Sequence, residues 1–598
     1  MGDFTERNSN VVVTRDSSSD PVAANLMAAI GPNGTSVRVS LIHVNSNAAA
    51  NGGGSLAAPF QTLAAASAAA SPGAIFYAHA DSVFAGESIV LGDNQRLLGA
   101  GLNYTIDTNL GPIVIPRATN GTAAPLILNA PLGGAAIVLG NDTEVSNFQI
   151  LQSFEAGIGA DGVTGSIRIA NNNISDAFRG IDIRNSDAAF TIEDNTISNT
   201  VDSAVELTDN LTGGTIAFTG TTTIDNPGNP LTLPPQANRG IGVNLEGGSA
   251  TTTFENLVVT NRSSAAVAIG DLDTTGTVTF NQPLTFDNPG GSPDEAIGIT
   301  NSDGVITFGD VTLTDMNRLV PGQPQVLIAD SNNVITFGQM NITSTNGGGL
   351  TALNFGTLNV AGGTIDVSGG TGALVSGGTT TDITFDSISA SNTAIGVSVA
   401  RIETGTFLVQ GVDGQPGSGG TLNVTEDGIN LFDAIGTTFN NMMITSAENG
   451  LAAGNSDDIR LSNSILTGTA DNYTGVFILN TDQEQKVGRP VILTSNTITS
   501  SNNNVVGIHF QHVDADQGDL RLDNQVITLT GIPSLGIDVR AIENLQPGAQ
   551  HQNGPGDIVL SGNQMNTVTV PAGQQATDNT QMNANIFGNA IVNGVLFP

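Results

Sequence analysis

Ile167-Arg-Ile-Ala-Asn-Asn-Asn-Ile-Ser175, Gly180-Ile-Asp-Ile183, Thr191-Ile-Glu-Asp-Asn-Thr-Ile-Ser198 and Ala204-Val-Glu-Leu207 follow one another in a single stretch of this chain. Each is a short run in which apolar residues alternate with polar ones. Alternation at period two turns every second side chain to one face of a strand. The runs end in Asn or Asp-Asn, residues that tolerate the left-handed backbone angles of a tight bend. Asn173 and Asn195 stand 22 residues apart. The theme returns at Phe254-Glu-Asn256, Phe308-Gly-Asp310, Phe337-Gly-Gln339, Phe355-Gly-Thr357, Phe385-Asp-Ser387 and Phe439-Asn-Asn441. It continues at Leu461-Ser-Asn463, Leu493-Thr-Ser-Asn496, Leu522-Asp-Asn524 and Leu560-Ser-Gly-Asn563. A unit repeated at such spacings is one coil of a solenoid, three short strands joined by turns, with loops of varied length inserted. An antiparallel sandwich is disfavoured, because hairpin turn pairs are sparse and each unit carries one Asn corner rather than two strands per hairpin.

Composition agrees. Among 598 residues there are 74 Gly, no Trp, and aromatics amount to 4 %. So few large side chains cannot fill a wide globular interior, but stacked Ile, Val, Leu and Ala fill a narrow one. The predicted fold is all-β: a single-stranded, right-handed parallel β-helix with a small N-terminal cap. Residues 1–40 read as an N-terminal extension with short strands at Val11–Thr14 and Val37–Ile42 and a small Ala-rich helix near Pro21–Ile30. Residues 41–82 read as a cap with a second short Ala-rich helix, residues 83–570 as the β-helix, and residues 571–598 as a C-terminal coil or cap. The cap is expected because the first coil of a β-helix is an open sheet edge.

The net charge is −37, with a single lysine, Lys486, and no cysteine. So acidic a surface repels nucleic acid and anionic lipid and favours divalent cations. The missing thiols exclude thiolate metal sites and Cys nucleophiles, and suit an exported chain. Met1-Gly-Asp-Phe-Thr-Glu-Arg7 lacks the basic and apolar regions of a secretion signal, and no stretch is long and apolar enough to span a membrane as a helix. The opening is therefore expected to be the junction of a segment cut from a longer export product.

At the motifs quoted above, the chain resembles the pectin-lyase-like superfamily of right-handed parallel β-helices over most of residues 140–570. The unit from His43 to Gly101 carries Ala58-Pro-Phe-Gln-Thr-Leu63 and Asp93-Asn-Gln-Arg-Leu-Leu-Gly-Ala-Gly101. It is similar to the N-terminal coil of large bacterial surface proteins of the planctomycete type, some of them inverse-autotransporter-like passengers. The resemblance implies the fold and an extracellular or bacterial cell-surface location. The superfamily also hosts lyases, hydrolases, adhesins and inert stalks, so activity must be argued from residues.

Lyases of the superfamily use an Arg-x-Pro-x-x-Arg element; here Arg489-Pro490 has no second Arg behind it. Its hydrolases use Asp residues with Gly-His-Gly and Arg-Ile-Lys elements, both absent. Asn480-Thr-Asp482 and Asp457-Asp458 occur in the wrong order, and the latter reads as a solvated turn. No catalytic residue is assigned. Arg168, Arg179 and Arg184 fall near Asp161, Asp176 and Asp182 over adjacent coils and read as a structural ion-pair ladder. One local cluster stands out, Gly507-Ile-His-Phe-Gln-His-Val-Asp-Ala-Asp-Gln-Gly-Asp519. Asp514, Asp516 and Asp519 offer hard oxygens to Ca²⁺, with His512 beside them, whereas His509 points to the other face. The plainer reading of this segment is an acidic loop between coils. The expected function is a non-enzymatic surface module (stalk, adhesin or envelope-layer component, including a glycan-binding one). The alternatives are a polysaccharide lyase or hydrolase with a divergent site in 400–520, and a phage tailspike-like depolymerase. The expected partners are an extracellular glycan or neighbouring copies of the protein.

Millimolar Ca²⁺ should raise the melting temperature modestly, since a −37 chain repels itself and multidentate Asp turns bind hard cations. NaCl at matched ionic strength separates screening from binding; a full reproduction of the shift by NaCl would eliminate the Asp514–Asp519 site.

Overall fold

Alternation turns Ile167 and Ile169 inward, and Ser166 and Arg168 outward, along the strand Thr164–Ala170. That strand pairs in parallel with Asp187–Glu193, setting Ile167 on Phe190 and Ile169 on Ile192. Asn173–Ser175 lies on Thr196–Ser198, and Arg179–Arg184 on Val205–Thr208, also in parallel. Each coil thus has three strands, and each strand is hydrogen-bonded to its counterpart one coil away. Parallel strands need a crossover, and here the remainder of the coil supplies it. The chain is a parallel β-helix.

The computed structural model describes residues 40–108, 111–115, 123–211, 213–228, 240–288, 294–315, 321–479, 490–511, 520–531 and 534–540. It also describes short strands at Ala28–Ile30, Ser36–Arg38, Ile558–Ser561, Gln564–Met565, Asn583–Ala584, Ala590–Val592 and Val595–Phe597. The chain divides into two units, Met1–Asn288 with Ala296–Gly309, and Pro289–Glu295 with Asp310–Pro598. Each is a stack of parallel coils.

In the first unit, Ser40–Val44, Ala74–Ala78 and Arg96–Gly99 form the parallel sheet of the opening coils. The helix Leu63–Ala69 buries Leu63 and Ala66. Thr62 Oγ1 accepts from the Ala65 amide at 3.1 Å and Glu87 Oε2 from the Leu63 amide at 2.7 Å, so two otherwise orphaned donors of the first turn are satisfied. No helix extends to residue 30: Ala28–Ile30 is a strand paired antiparallel with Ser36–Arg38, and residues 21–27 lie outside the described residues. Local Ala content there yields to pairing, as propensity does when a partner strand is available.

Two columns hold the coils in register. Phe218, Phe254, Phe280 and Phe308 stack inside, with ring centroids 4.3, 4.7 and 4.7 Å apart and interplanar angles of 14°, 6° and 4°. The second column is amide. Asn195, fully buried, accepts at Oδ1 from the Asn172 amide at 2.9 Å and donates from Nδ2 to the Ile169 carbonyl at 2.9 Å. Asn172 Oδ1 in turn accepts from the Phe148 amide at 3.0 Å. The ladder partner of Asn195 is therefore Asn172, 23 residues away, not Asn173, which opens a strand and is exposed. A shift of one residue exchanges the two faces of a strand.

The second unit repeats the device with other residues. Ser464 accepts from the Met442 amide, Asn496 from the Ser464 amide, and Gln525 donates to the Leu493 carbonyl at 2.8 Å. Its first ladder runs through Val397–Ala400, Ile429–Phe432, Asn449–Gly454, Thr474–Leu479 and Val505–Gln511. Inward on these strands lie Ile429, Leu431, Leu451, Ala453, Val476, Ile478, Ile508 and Phe510.

Asn195→Ala should cost about 1–3 kcal/mol, because it leaves a buried amide and carbonyl unpaired. Phe254→Ala should cost about 3–5 kcal/mol through the cavity it opens, whereas Asn173→Ala should stay within about 0.5 kcal/mol. Urea unfolding of the three variants checks the register; an Asn173 cost equal to that of Asn195 contradicts it.

Candidate functional site

The parallel register gathers charge on one outer face of the first unit. Along the strands Arg179–Arg184, Val205–Thr208 and Val243–Glu246, Asp182 stands over Glu206 and Glu206 over Asn244. The Phe178 amide donates to the Ser153 carbonyl and the Asp202 amide to the Phe178 carbonyl, which brings Asp202 to the same corner one coil on. Arg179 sits at the centre. Its guanidinium lies 3.0 Å from Asp202, 3.5 Å from Asp182 and 3.9 Å from Glu206, and stacks over the Phe178 ring at 5.2 Å. Arg184 grips Asp182 with two bonds, Nε to Oδ1 at 2.7 Å and Nη2 to Oδ2 at 2.8 Å. Phe154, 58 % exposed, precedes Glu155, whose carbonyl accepts from the Arg179 amide.

Glu206 is 7 % exposed. Burial lifts its carboxyl above the ordinary value; bonds from Ser203 and Asn244 and the Arg179 charge pull the other way, and burial wins. Glu206 Oε1 accepts from Asn244 Nδ2 at 3.1 Å and from the Thr208 hydroxyl at 3.3 Å. The Asp182 bonds hold Arg184 more firmly protonated than usual. A second ladder runs beside it: Arg168 pairs with Glu144 at 2.7 Å and with Glu193, and Arg96 with Glu144 at 3.7 Å. Burial opposes the Arg168 charge, but the two glutamates outweigh it and raise its pKa. The cations of this face are thus occupied by carboxylates. A lyase base must be free to take a proton, and a guanidinium in a bidentate pair is not.

The expected ion-pair ladder is present, with a different partner set. Asp182 belongs to it. Asp161 stands opposite Arg184 in the parallel register and adds to the field that keeps it protonated, while accepting from Asn185 at 3.0 Å; Asp176 is a corner residue with φ 53°. Glu144, Glu193, Asp202 and Glu206 are the partners that sequence reasoning missed. The coil period carries the signal for two of them: Glu144 lies 24 residues before Arg168, and Glu193 lies 25 after it.

Asp457 and Asp458, expected as a solvated turn, instead open the parallel strand Asp457–Ser462; Asp458 has φ 50° and meets Arg460 Nη2 at 3.1 Å. Asp514, Asp516, Asp519 and His512, with Arg489, Asn480 and Asp482, lie outside the described residues. His509 is buried, its ring edge-on to Phe477 with centroids 5.2 Å apart. At the opening coil, His43 Nδ1 and His79 Nε2 are 3.1 Å apart; burial and the neighbouring His79 lower His43 to about 4. Among the described residues no group of three His, Asp or Glu is arranged to hold a metal ion, and no helix is long and apolar enough to cross a membrane. A depression of about 340 Å³ is lined by Gly220, Thr221, Glu255, Asn256, Gln282 and Pro283. Its one acid, Glu255, already accepts the Gly220 amide at 2.7 Å.

The sequence matches no protein-family model and no curated protein. Among solved structures the chain is similar to the periplasmic alginate epimerase AlgG, at 10 % identity and a TM-score of 0.20, over 65 % of this chain and 76 % of that one. A double mutant of that epimerase matches at 9 % identity and a TM-score of 0.16, over 68 % and 76 %. Likeness at this level carries no inference about activity.

Arg179→Met should destabilise the first unit by about 1–3 kcal/mol, because Asp182, Asp202 and Glu206 lose a shared cation in a half-buried setting. Glu206→Gln should be neutral or stabilising at pH 7. The sign follows from linkage: a carboxyl raised in the folded state binds its proton more tightly than in the unfolded chain. Stability is therefore full below the unfolded value and falls as pH rises through the folded one. Denaturant melts of both variants at pH 4 and pH 7 test the pair, and a Gln variant weaker than the native chain at pH 7 refutes the assignment.

Proposed function

We propose that the chain is a non-enzymatic extracellular or bacterial cell-surface β-helix module, a stalk, adhesin or envelope-layer component. Its coil faces are offered to extracellular glycan or to neighbouring copies of the protein. The observation that carries this reading is the state of the arginines. Arg168, Arg179 and Arg184, clustered on adjacent coils of the first unit, are each bound to two or more carboxylate oxygens. Removing such an arginine's proton would break charge-assisted bonds at the moment the base is needed. The outer columns beside these pairs are hydroxyl and amide. Thr251 stacks on Thr277, and Thr253 on Thr279, which stacks on Thr307. Such columns bond sugars or water without charge. Ca²⁺ at Asp514, Asp516 and Asp519 belongs to the same proposal, as a stabilising ion of an acidic surface.

The purified chain should release no product from pectate, alginate or other uronate polymers, with or without Ca²⁺. A polyanion approaching a −37 protein is repelled unless a cationic groove overcomes the field. Absorbance of unsaturated product together with a reducing-end assay decides it. Turnover abolished by replacing Arg489 or Arg401 would replace this reading with a divergent lyase or hydrolase.

A further inference from the structure

We propose that the outer face of Val397–Ala400, Ile429–Phe432, Asn449–Gly454 and Thr474–Leu479, in the second unit, is a binding subsite for a neutral pyranose-based glycan. Phe432 is its stacking platform, and Arg401, Asn430 and Asn449 its hydrogen-bonding groups. The proposal rests on the surface-module reading and gives it a ligand class and a location.

The first observation is the platform. Nearly every Phe of these coils is packed inside, yet Phe432 is 43 % exposed on the outer side of its strand. Its counterparts one coil to either side are Ala400 and Gly454, so neither in-column neighbour screens the ring. The ring lies across Gly454: a Cβ there would stand 3.2 Å from Phe432 Cδ2. Ala452 continues the small row beside Asn430, and the next strand brings up Phe477 and Leu479, both partly exposed. The result is a shallow aromatic step with a small floor, the shape that takes the C–H face of a sugar ring.

The second observation is a fixed polar rim. Asp427 is 9 % exposed and accepts from Asn430 Nδ2 at 2.8 Å and Asn449 Nδ2 at 2.7 Å. A buried carboxylate thereby orients two partly exposed amides, each of which keeps one N–H and its carbonyl oxygen for a ligand. Orientation fixed in advance lowers the entropy lost on binding.

The third is backbone strain at Arg401. Its corner column reads Asp330, Asn354, Gly377, Arg401, Asp433, Asn455, with φ of 52°, 51°, 74°, 51°, 50° and 48°. Asp, Asn and Gly suit that left-handed position; Arg does not. Arg401 is exposed, has no ion-pair partner among the described residues, and its amide donates to the carbonyl of Phe432. A strained residue of the wrong type beside an exposed ring points to function rather than to folding.

Charge and size select the occupant. Glu403, Glu426 and Glu448 are exposed around the face, so one arginine does not make it attractive to a polyuronate. Two outward positions per strand over four strands cover roughly 7 by 15 Å, far below the ~800 Å² per partner of a stable protein interface. One or two sugar rings fill it.

The test is affinity electrophoresis of the full chain in gels containing dextran, galactomannan, mixed-linkage β-glucan or polygalacturonate. Retardation is expected in at least one neutral polymer and not in polygalacturonate. Phe432→Ala and Arg401→Asn should each weaken it about tenfold, the loss of one stacking or charged contact. Phe154→Ala, exposed but in the first unit, should leave it unchanged. Arg401→Asn should at the same time keep or raise the melting temperature, since Asn relieves the corner, and this separates a lost ligand contact from lost folding. The subsite is overturned if no neutral polymer retards the chain, or if both variants are retarded as strongly as the native chain. It is also overturned if sedimentation shows that Phe432→Ala merely dissociates a dimer, the outcome of a copy-to-copy contact. Absence of retardation leaves the surface-module reading intact, whereas release of reducing ends from a retarding polymer overturns that reading and leaves the subsite standing.

Discussion

In-register parallel stacking is the constraint on which the remaining features of both units depend. Each residue lies about 4.8 Å from its counterpart in the next coil, so a side chain's nearest neighbour along the stack is the residue one period away. A column of like charges would repel itself at every step. The chain answers in two ways. Most columns are uncharged: stacked Phe and Ile within, Thr, Ser and Asn without. Where charge does enter a column it is opposed, either within the column, as in Arg96, Glu144 and Arg168, or from beside it, as where Arg179 and Arg184 meet the stacked acids Asp182 and Glu206.

Corners relieve the constraint and carry some of the acid: nine of the described aspartates have left-handed backbone. The bends need left-handed backbone, which Asn and Asp adopt cheaply because their short side chains bond locally. Asn185, Asp209, Gly247, Asp271 and Asn301 occupy one corner column of the first unit, at φ between 48° and 68°. Aspartates interspersed with asparagines keep carboxylates from standing directly over one another, and amides bridge them; Asn354 Nδ2 donates to Asp330 at 3.0 Å in the second unit. Part of the acidity thus follows from turn chemistry.

This explains how much of the molecule could be read from the chain. Period-two alternation and Asn corners are local, so strands, bends and the parallel coil were legible. Register is not local. Asn172 and Asn173 are indistinguishable by composition, yet one is in the buried ladder and the other exposed, because only the partner strand decides which faces inward. The ion pairs failed for the same reason. Acids near Arg168 in sequence are not its partners; acids one coil away are. The corner at Arg401 was visible as an Arg among corner residues only once Gly377 and Asp433 could be aligned with it. The ladder also changes chemistry while keeping geometry: Ser464, Asn496 and Gln525 share a column, and an Asn-based pattern misses two of the three.

A fold made of columns also dictates how a binding site must be written into it. One coil supplies only one or two side chains to a given face, so a site requires successive coils to depart from the column's usual residue at matched positions. Random drift would scatter such departures. Around Phe432 they coincide: an exposed ring, small residues on both sides of it, a buried carboxylate holding two amides, and an arginine at a corner that favours Asp, Asn or Gly. Each departure alone is neutral or costs stability, and the corner arginine costs it on backbone grounds with no ion pair among the described residues to offset it. The Arg179 cluster differs, because there every charged group has an opposite charge within reach and the arrangement is explained by folding alone. The criterion that separates the two faces is thus energetic: where local cost is compensated inside the fold, structure suffices as the explanation, and where it is not, the compensation lies outside the chain.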